Sequence, residues 1–418
     1  MTKRFIAPLL VPLLALPLAL SSAHAQDNFS LPAVKISGFG TLAATQTSSD
    51  AAQFVRPNQS SGATHTARTG VDSNFGVQAN TELNSWLSAT AQGLVRKDAE
   101  DDFGAELAWA FLKAKVNDKL SLRVGRMGMP VFLISDYRNV GYANTMLRPP
   151  AEVYTQVLLG NIDGIDATWQ QSLGDTNVSA LLAFGRIHKP IAASNATVHL
   201  DGTSLVALNL VAEHGPFTLR FGRVDGKLTL NDSPTLNALL AGLRASGAGY
   251  QLAPLADALA VNKKKASFTS VGLALDWNNI VLQSEYARRK TDSYINNTNS
   301  WYTMAGYRIG KFLPYYNHAE TKSTGHVANT VPSVCPAGSP LACAATVRVL
   351  SAGVDTLSAA QNQSTDTIGV RWDLYRSMAL KVQIDRVRPK DGAGLLIKAQ
   401  PGFEGPITVG AVALDFVF

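Results

Sequence analysis

The stretch Thr408-Val409-Gly410-Ala411-Val412-Ala413-Leu414-Asp415-Phe416-Val417-Phe418 decides the fold, and it alternates. From Ala411 to Phe418, its large apolar residues other than Val417 share one parity, and its small or polar residues share the other. Because a strand sends successive side chains to opposite faces, this stretch predicts a strand with one strongly apolar face. In a soluble protein Phe418 would lie on an exposed, frayed end. In a membrane barrel such a strand closes the sheet and turns its apolar face to lipid.

Similar segments recur along the chain from Val34 onward, about sixteen in all, each of nine to thirteen residues. One of them alternates poorly, because Lys113 and Lys115 share parity with Trp109 and Phe111. Either that strand faces a subunit contact or its predicted register is misplaced. The sixteen predicted strands are Val34–Thr45, Ser73–Leu83, Trp86–Lys97, Ala105–Val116, Lys119–Met127, Asn161–Leu173, Asn177–Ile187, Thr203–Glu213, Phe217–Leu228, Ala266–Trp277, Ile280–Lys290, Trp301–Ile309, Phe312–Lys322, Thr365–Tyr375, Met378–Arg388 and the final stretch.

Short and long connections alternate between the predicted strands. Tight turns such as Asn84-Ser85 and Asn117-Asp118 follow even-numbered strands, and longer connections follow odd-numbered ones. This asymmetry is typical of membrane barrels, which have tight periplasmic turns and longer outer loops. Strands of about nine to eleven tilted residues cross the hydrocarbon layer, and sixteen strands leave a water-filled lumen. The sequence therefore predicts an all-β fold, an antiparallel transmembrane β-barrel of about 16 strands. One long connection contains an Ala/Leu-rich piece, Leu236–Leu259, which could hold a short helix.

The first 25 residues have the features of a cleaved secretory signal. Lys3 and Arg4 precede an apolar run, and Ala23-His24-Ala25 is a small-x-small cleavage site. We expect residues 1–25 to be removed and residues 26–418 to form a single barrel domain. A retained membrane anchor is the alternative, but three prolines within the apolar run argue against a stable spanning helix.

The charge of the chain is low and only mildly basic. Charged residues make up 16% of the sequence, and removing the signal lowers the formal net charge from +6 to +4 because it takes away Lys3 and Arg4. This balance, without a basic run interleaved with aromatic residues, argues against a nucleic-acid partner. Lys263-Lys264-Lys265 and Arg288-Arg289-Lys290 are the basic clusters, and they fall in predicted loops or at strand ends. A solvated rim is their default interpretation.

Two cysteines, Cys335 and Cys343, lie eight residues apart in a Pro/Gly/Ser/Ala-rich stretch. In an exported protein this spacing predicts one local disulfide that closes a loop. A metal site would need further ligands, and none is suitably spaced. We therefore expect no metal and no cofactor.

At this point the chain resembles Gram-negative outer-membrane porins of the sixteen-stranded trimeric type. The resemblance rests on the signal, the first strand Val34–Leu42, the alternation of short and long connections, and Phe418. It implies location in the cell outer membrane, contact with lipid and lipopolysaccharide, a homotrimer, and passive diffusion of small hydrophilic solutes or ions. In this family a final phenylalanine also implies recognition by the assembly machinery, which would make Phe418 an assembly signal.

The segment 128–160 is the candidate constriction loop. In the porins that this chain resembles, the third outer loop folds into the barrel and narrows it. This segment is too apolar and aromatic for a solvated loop. If Phe132, Leu133 and Ile134 packed on the inner wall, the segment would present charged side chains to the lumen, namely Asp136, Arg138, Arg148 and Glu152. An outer loop that only caps the barrel is the alternative.

Strand parity predicts the charges of the opposite wall. Arg or Lys on the lipid face costs about 2–4 kcal/mol at mid-membrane, so charged parities are expected to face inward. Inward basic residues outnumber inward acidic residues, which predicts a weak preference for anions. Pairing that cancels these charges is the alternative. The basic residues are Arg96, Arg123, Arg220, Arg289, Arg371 and Lys381, and the acidic residues are Glu82, Glu285, Asp373 and Asp385.

Two other functions compete with a general porin. A substrate-specific channel for phosphate or organic acid anions is the first, and Arg138 and Arg148 favour it. A barrel enzyme is the second, but no Ser/His/Asp set or metal-spaced group converges on one strand end. We therefore expect no enzymatic activity.

Overall fold

The computed structural model describes residues 32–158, 160–193, 196–245, 252–335 and 342–418. The expected signal, residues 1–25, lies outside the described residues. Within them, sixteen antiparallel strands form one closed barrel in which each strand pairs with its sequence neighbours and β1 pairs with β16. The strands are β1 Val34–Thr47, β2 Asn74–Glu82, β3 Leu87–Lys97, β4 Phe103–Lys115, β5 Leu120–Gly128, β6 Asn161–Leu173, β7 Thr176–Ala193, β8 Ala196–His214, β9 Phe217–Asn231, β10 Lys264–Trp277, β11 Ile280–Thr291, β12 Asn297–Tyr307, β13 Phe312–Gly325, β14 Asn362–Tyr375, β15 Met378–Lys390 and β16 Ile407–Val417.

The predicted fold class and strand order are confirmed, and the connection between β7 and β8 is the main correction. The sequence predicted a medium loop there, whereas the two strands run on as a long hairpin of 18 and 19 residues. Ile187, Val198 and Leu200 are buried in this extension. Because apolar and polar residues keep alternating through the extension, the hydrogen-bonded ladder between β7 and β8 continues too. The polar residues among them made this segment resemble a loop in the sequence.

The poor alternation of β4 has a local cause, a β-bulge. Gln92 of β3 pairs with Trp109, and the next residue, Gly93, pairs with Leu107, so Ala108 is the extra residue. A bulge shifts the parity of everything beyond it by one residue. Below the bulge Lys113 and Lys115 share the inward parity with Trp109 and Phe111, so the register had not been misplaced there.

The outer surface of the barrel is apolar where lipid would lie. On β15, Val382 and Ile384 are exposed, whereas the alternating Lys381, Gln383 and Asp385 are buried. The other strands repeat this inverted pattern of exposed apolar and covered polar side chains. Among the described residues, no helix is both long and apolar enough to cross a membrane.

Helices from two outer loops pack together at the extracellular end. They are α2 (Pro234–Ala245) and α3 (Ala253–Leu259) between β9 and β10, and α4 (Ala342–Leu357) between β13 and β14; α1 (Ala151–Tyr154) lies inside the barrel. The prediction of helix within 236–259 is confirmed. Leu240, Leu243 and Leu350 belong to the shared apolar core of this cap. Cys335 and Cys343 form a disulfide at the start of α4, with their Cα atoms 6.2 Å apart.

The seam between β1 and β16 is covered by aromatic rings. Gly38 and Gly40 of β1 lie directly beneath the rings of Phe418 and Phe416, closer than a Cβ atom could be accommodated. Gly40 pairs with Phe416 in the ladder, and the amide of Phe418 donates to the carbonyl of Gly38 at 3.0 Å. A glycine within a strand often lies where another group approaches the backbone closely, and here each phenylalanine ring covers the backbone that its glycine leaves bare.

We predict that replacing both Gly38 and Gly40 by Ala destabilises the barrel by about 1–3 kcal/mol, because each added methyl group displaces a covering ring. Urea unfolding in lipid vesicles measures the effect. Gly410→Ala on β16 is the matched control, since a Cβ there meets nothing within 4 Å. Equal midpoints for the double variant and the control would contradict this account of the seam.

Candidate pore constriction

The segment between β5 and β6 folds into the barrel; we call residues 129–160 the inner loop. It carries α1 and a short 3₁₀ turn at Gly141–Ala143. The 3₁₀ turn contacts β1 and β16, and α1 contacts β11, β12 and β13. The other contacts of the inner loop are with inward-facing side chains of β9, β10, β14 and β15. The inner loop therefore lines the wall formed by β9–β16 and β1.

Aromatic packing anchors the first and last parts of the inner loop to this wall. Phe132 is fully buried, with its ring 4.6 Å from that of Tyr154 and 5.0 Å from that of Phe268 on β10. Tyr154 in turn contacts the ring of Tyr302 on β12, at 6.2 Å. Buried aromatic pairs of this geometry hold both ends of the loop against the barrel.

Two buried carboxylates bind the loop to β11 and β14. Glu285 accepts the amide of Leu133 at 3.0 Å and the hydroxyl of Tyr154 at 2.7 Å. Glu152 of α1 accepts the side-chain amide of Gln363 at 2.7 Å and the hydroxyl of Thr365 at 2.5 Å. Because a buried carboxylate is costly without partners, these bonds fix the position of the loop.

Lys381 on β15 fastens the middle of the inner loop. Its ammonium group, which is fully buried, forms an ion pair with Asp415 on β16 at 2.9 Å. It also donates to the carbonyls of Gly141, Asn144 and Met146, at 2.8, 2.6 and 3.1 Å. Arg371 on β14 adds bonds to the carbonyls of Tyr142 and Asn144. Four carbonyl groups of the inner loop are thereby paired with a cation.

Arg148 links the inner loop to the first outer loop. It lies between Asp72 at 3.0 Å and Asp385 at 3.6 Å, and its guanidinium stacks over the ring of Phe54 at 4.7 Å. Asp72 also pairs with Arg56 at 3.0 Å. A buried chain of alternating charges therefore joins the two loops to β15.

These contacts correct part of the predicted pore lining. Eight of the predicted residues hold the loop in place, and six of the eight are buried: they are Arg148, Glu152, Arg220, Lys381, Glu285 and Asp385, with Arg289 and Arg371 half-buried. Arg148 is 4% exposed, Glu152 1%, Arg220 7% and Lys381 0%. Arg371 binds carbonyls of the inner loop and Asp373. Strand parity placed Arg220, Arg371 and Lys381 inward correctly, but the sequence did not show that the loop, which itself carries Arg148 and Glu152, would lie on top of them.

Asp136, Arg123, Arg96 and Arg138 face the space that the inner loop leaves open. Asp136 is exposed and accepts from Arg220 at 2.9 Å. Arg123 on β5 forms a bidentate pair with Asp166 on β6, at 2.7–3.0 Å. Arg96 on β3 pairs with Glu106 on β4 at 2.8 Å. Arg138 extends from the inner loop toward this same pair.

A narrow gap lies between inner-loop residues 135–140 and strands β3, β4 and β7, and Val140 closes one side of it by packing against the cluster of Phe39, Leu94 and Ala108. Five charged side chains line it: Arg96, Arg138, Lys189, Glu106 and Asp136. Lys189 reaches the other oxygen of Glu106 at 3.4 Å. Arg138 has no carboxylate within ion-pair distance among the described residues. The gap thus holds three cations and two carboxylates, and Asp136, one of the two, is paired with Arg220.

Burial lowers the pKa of Arg138 to about 10, and the nearby charge of Arg96 acts in the same direction. Glu106 opposes this shift. A group with this pKa remains protonated at neutral pH, so the guanidinium keeps its positive charge in the gap.

Below the gap, the wall of β2–β6 is free of the inner loop and is polar. Its inward side chains include Asn80, Thr90 and the Arg123–Asp166 pair, and Lys113 lies lower, at the periplasmic opening. Lys115, Ser121 and Gln170 line the same opening. The open passage therefore runs from the gap along β2–β6, opposite the wall that the inner loop covers.

The sequence did not single out Glu106 and Lys189 as lining residues. The bulge at Ala108 changes the parity of β4 between Glu106 and Lys113, which hid the inward direction of Glu106. Lys189 fell in the predicted loop after β7, although it lies on the long hairpin. Continued alternation from Ile187 through Ile191 was the available signal.

A closed sixteen-stranded barrel with a loop folded into its lumen is the fold of outer-membrane porins. The similar solved structures include Salmonella typhi OmpF in complex with daunomycin, at 14% identity and a TM-score of 0.54, covering 93% of this chain and 98% of that one. They also include an anion-selective porin from Comamonas acidovorans, at 14% identity and a TM-score of 0.53, covering 92% and 99%.

OmpT of Vibrio cholerae, an outer-membrane protein, is similar as well, at 12% identity and a TM-score of 0.51 over 92% and 98% of the two chains. No protein-family model matches the sequence. No curated protein sequence matches it either. At these identities the likeness shows a shared fold.

We predict that Lys381→Met loosens the inner loop, because it leaves Asp415 buried without its cation and removes one donor from each of three loop carbonyls. Breaking such a buried pair costs about 3–5 kcal/mol. Hydrogen exchange should therefore become faster for amides of residues 141–146 than in the wild type. Lys35→Met, at an exposed position of β1, should leave their exchange unchanged. Unchanged exchange in Lys381→Met would refute the tethering role.

Proposed function

We propose that this chain is a porin of the Gram-negative outer membrane, a water-filled channel for passive diffusion of small hydrophilic solutes with a weak preference for anions. The fold, the apolar outer surface and the polar passage beside the inner loop support this function. The observation that carries the anion preference is the charge of the gap, where Arg96, Arg138 and Lys189 share the carboxylate of Glu106, because the other carboxylate, Asp136, is paired with Arg220.

A positive gap favours anions because an anion entering it interacts with uncompensated charge where water is scarce and screening is weak. Glu106 neutralises one cation at most. The lysines of the periplasmic opening, Lys113 and Lys115, extend the positive character along the path, although Lys115 is partly offset by Asp118 at 2.9 Å.

The uncharged sector of the outer wall supports a homotrimer. The outward positions of β16, β1, β2 and β4 carry no charged side chain within the strands, and β3 carries only Lys97, at its end. Small and apolar residues such as Ala44, Ala89 and Ala91 occupy this sector. If this sector contacts another subunit instead of lipid headgroups, it needs no charged residues at the headgroup level.

We predict that Arg138→Gln reduces the anion-to-cation permeability ratio about threefold, because it removes an unpaired charge of the gap. The reversal potential in a KCl gradient across a planar bilayer measures this ratio. Arg126→Gln is the matched control. Arg126 pairs with Asp163 at 2.7 Å on the outward parity of β5, so its loss should leave the ratio unchanged.

A cation-selective wild type, or equal shifts in both variants, would refute the anion preference. Saturation of the conductance by phosphate or by a small organic acid would instead favour a channel specific for that anion.

We also predict that Ala44→Arg converts the trimer to monomers, because a charge in a close apolar contact between subunits is not solvated. Analytical ultracentrifugation in detergent reports the assembly. Leu273→Arg on β10, which is exposed on the opposite side of the barrel, should lower stability but leave the oligomer intact. A monomeric wild type would contradict the trimer.

A further inference from the structure

Strand β4 places two aromatic side chains on the otherwise polar wall of the passage. Below its bulge, the inward positions of β4 are Trp109, Phe111, Lys113 and Lys115, in order from the gap to the periplasmic opening. Trp109 lines the gap, and Phe111 lies one inward position closer to the periplasm. Both side chains are half-buried. A partly exposed aromatic ring in a water-filled passage offers a surface against which an apolar part of a solute can be desolvated.

The wall beside Phe111 is bare, because three glycines lie at its level on the next three strands. Phe111 pairs in the ladder with Gly125 of β5. Gly125 pairs with Gly164 of β6, and Gly164 pairs with Gly185 of β7. At each of these glycines, which we call the glycine floor, an added Cβ atom would collide with a carbonyl oxygen of an adjacent strand. The glycine floor therefore keeps the lumen next to the Phe111 ring free of side chains.

Two cations lie at the next level toward the periplasm, where Lys113 of β4 pairs in the ladder with Arg123 of β5. The guanidinium of Arg123 lies over the Phe111 ring, 5.1 Å from its centre, and the bidentate pair with Asp166 holds it there. Lys113 is exposed and has no acidic partner among the described residues. The Phe111 ring thus lies beside one neutralised cation and one free cation.

The spacing of these groups suits a solute that combines a ring with a negative charge. Phe111 and Lys113 are two residues apart on one strand, which corresponds to about 7 Å. Because the lysine side chain is long and flexible, its ammonium group can reach a carboxylate attached to a ring that lies beside Phe111.

We propose that Phe111, the glycine floor and Lys113 form a subsite for aromatic carboxylates, solutes in which a planar ring carries a carboxylate group. The ring would lie over Gly125 and Gly164, against the Phe111 ring, and the carboxylate would bind the ammonium group of Lys113. Contact between two aromatic rings favours such a solute over a saturated ring of the same size and charge. This inference rests on the proposed function, because it names a class of solute that the passage selects.

The test compares benzoate with cyclohexanecarboxylate as blockers of the single-channel KCl current of the full-length protein in a planar bilayer. The two anions have the same charge and similar size, but only benzoate has an aromatic ring. In the wild type, benzoate should halve the current at a concentration about fivefold lower than cyclohexanecarboxylate, as expected for one aromatic contact. In Phe111→Leu the two half-blocking concentrations should become equal, whereas Phe111→Tyr should keep the preference for benzoate.

Lys113→Gln separates the contribution of the charge from that of the ring. It should raise the half-blocking concentrations of both anions about threefold and leave their ratio unchanged, because both lose the same exposed ion pair. Trp169→Leu and Lys311→Gln are the matched controls. Trp169 is exposed on the outer wall of β6, and Lys311 lies in the turn between β12 and β13 on the opposite side of the barrel. Neither control should alter the block by either anion.

Equal block by the two anions in the wild type would overturn the proposal, as would a preference for benzoate that survives in Phe111→Leu. A preference that is lost in Trp109→Leu but kept in Phe111→Leu would place the aromatic contact in the gap and would also overturn it. The KCl current itself separates this inference from the proposed function. A conducting protein that does not distinguish the two anions refutes the subsite alone, whereas a protein that forms no channel refutes the function and the subsite with it.

Discussion

Closure of the sheet is the constraint on which the rest of this structure depends. A strand edge exposed to lipid would leave a row of amide and carbonyl groups without partners, at a cost of several kcal/mol each. The pairing of β1 with β16 removes that edge, and nine residue pairs from Phe39–Val417 to Thr47–Val409 form the seam. Two glycines permit the rings of Phe416 and Phe418 to lie flat across it. The same strand that closes the barrel supplies Asp415 to the lumen, so closure and the attachment of the inner loop share one element.

The charges inside the barrel divide into two groups with different physical roles. Where the inner loop meets the wall of β9–β16, Lys381 and Glu285 of the wall and Arg148 and Glu152 of the loop are buried, so their contacts determine where that loop lies. On the other side, Arg96 of β3, Lys189 of β7 and Arg138 of the inner loop line the gap and contribute to its local potential. Because the inner loop binds the charged residues of one wall, fewer charged residues contact the passage than strand parity alone suggests. Counting inward charges therefore overestimates how many act on a solute.

The sequence predicted the fold class, the strand order and the inward direction of most charges, since each follows from a period of two residues. It could not predict the course of the inner loop, because residues such as Leu133 and Glu285 are 152 positions apart and their contact has no local signature. It also missed Glu106 and Lys189. One extra residue at Ala108 reverses parity within β4, and polar residues concealed the continuation of β7.

The central claim is that solutes pass along β2–β6 while the inner loop seals the opposite wall. Cysteine accessibility tests it most directly, with Thr90→Cys on β3 beside the passage and Ser300→Cys on β12, a position that is fully buried beneath the loop. The native cysteines are joined in a disulfide and should not react. A charged methanethiosulfonate reagent should reduce the single-channel current of Thr90→Cys and leave that of Ser300→Cys unchanged. Modification of Ser300→Cys with no effect at Thr90→Cys would contradict this account.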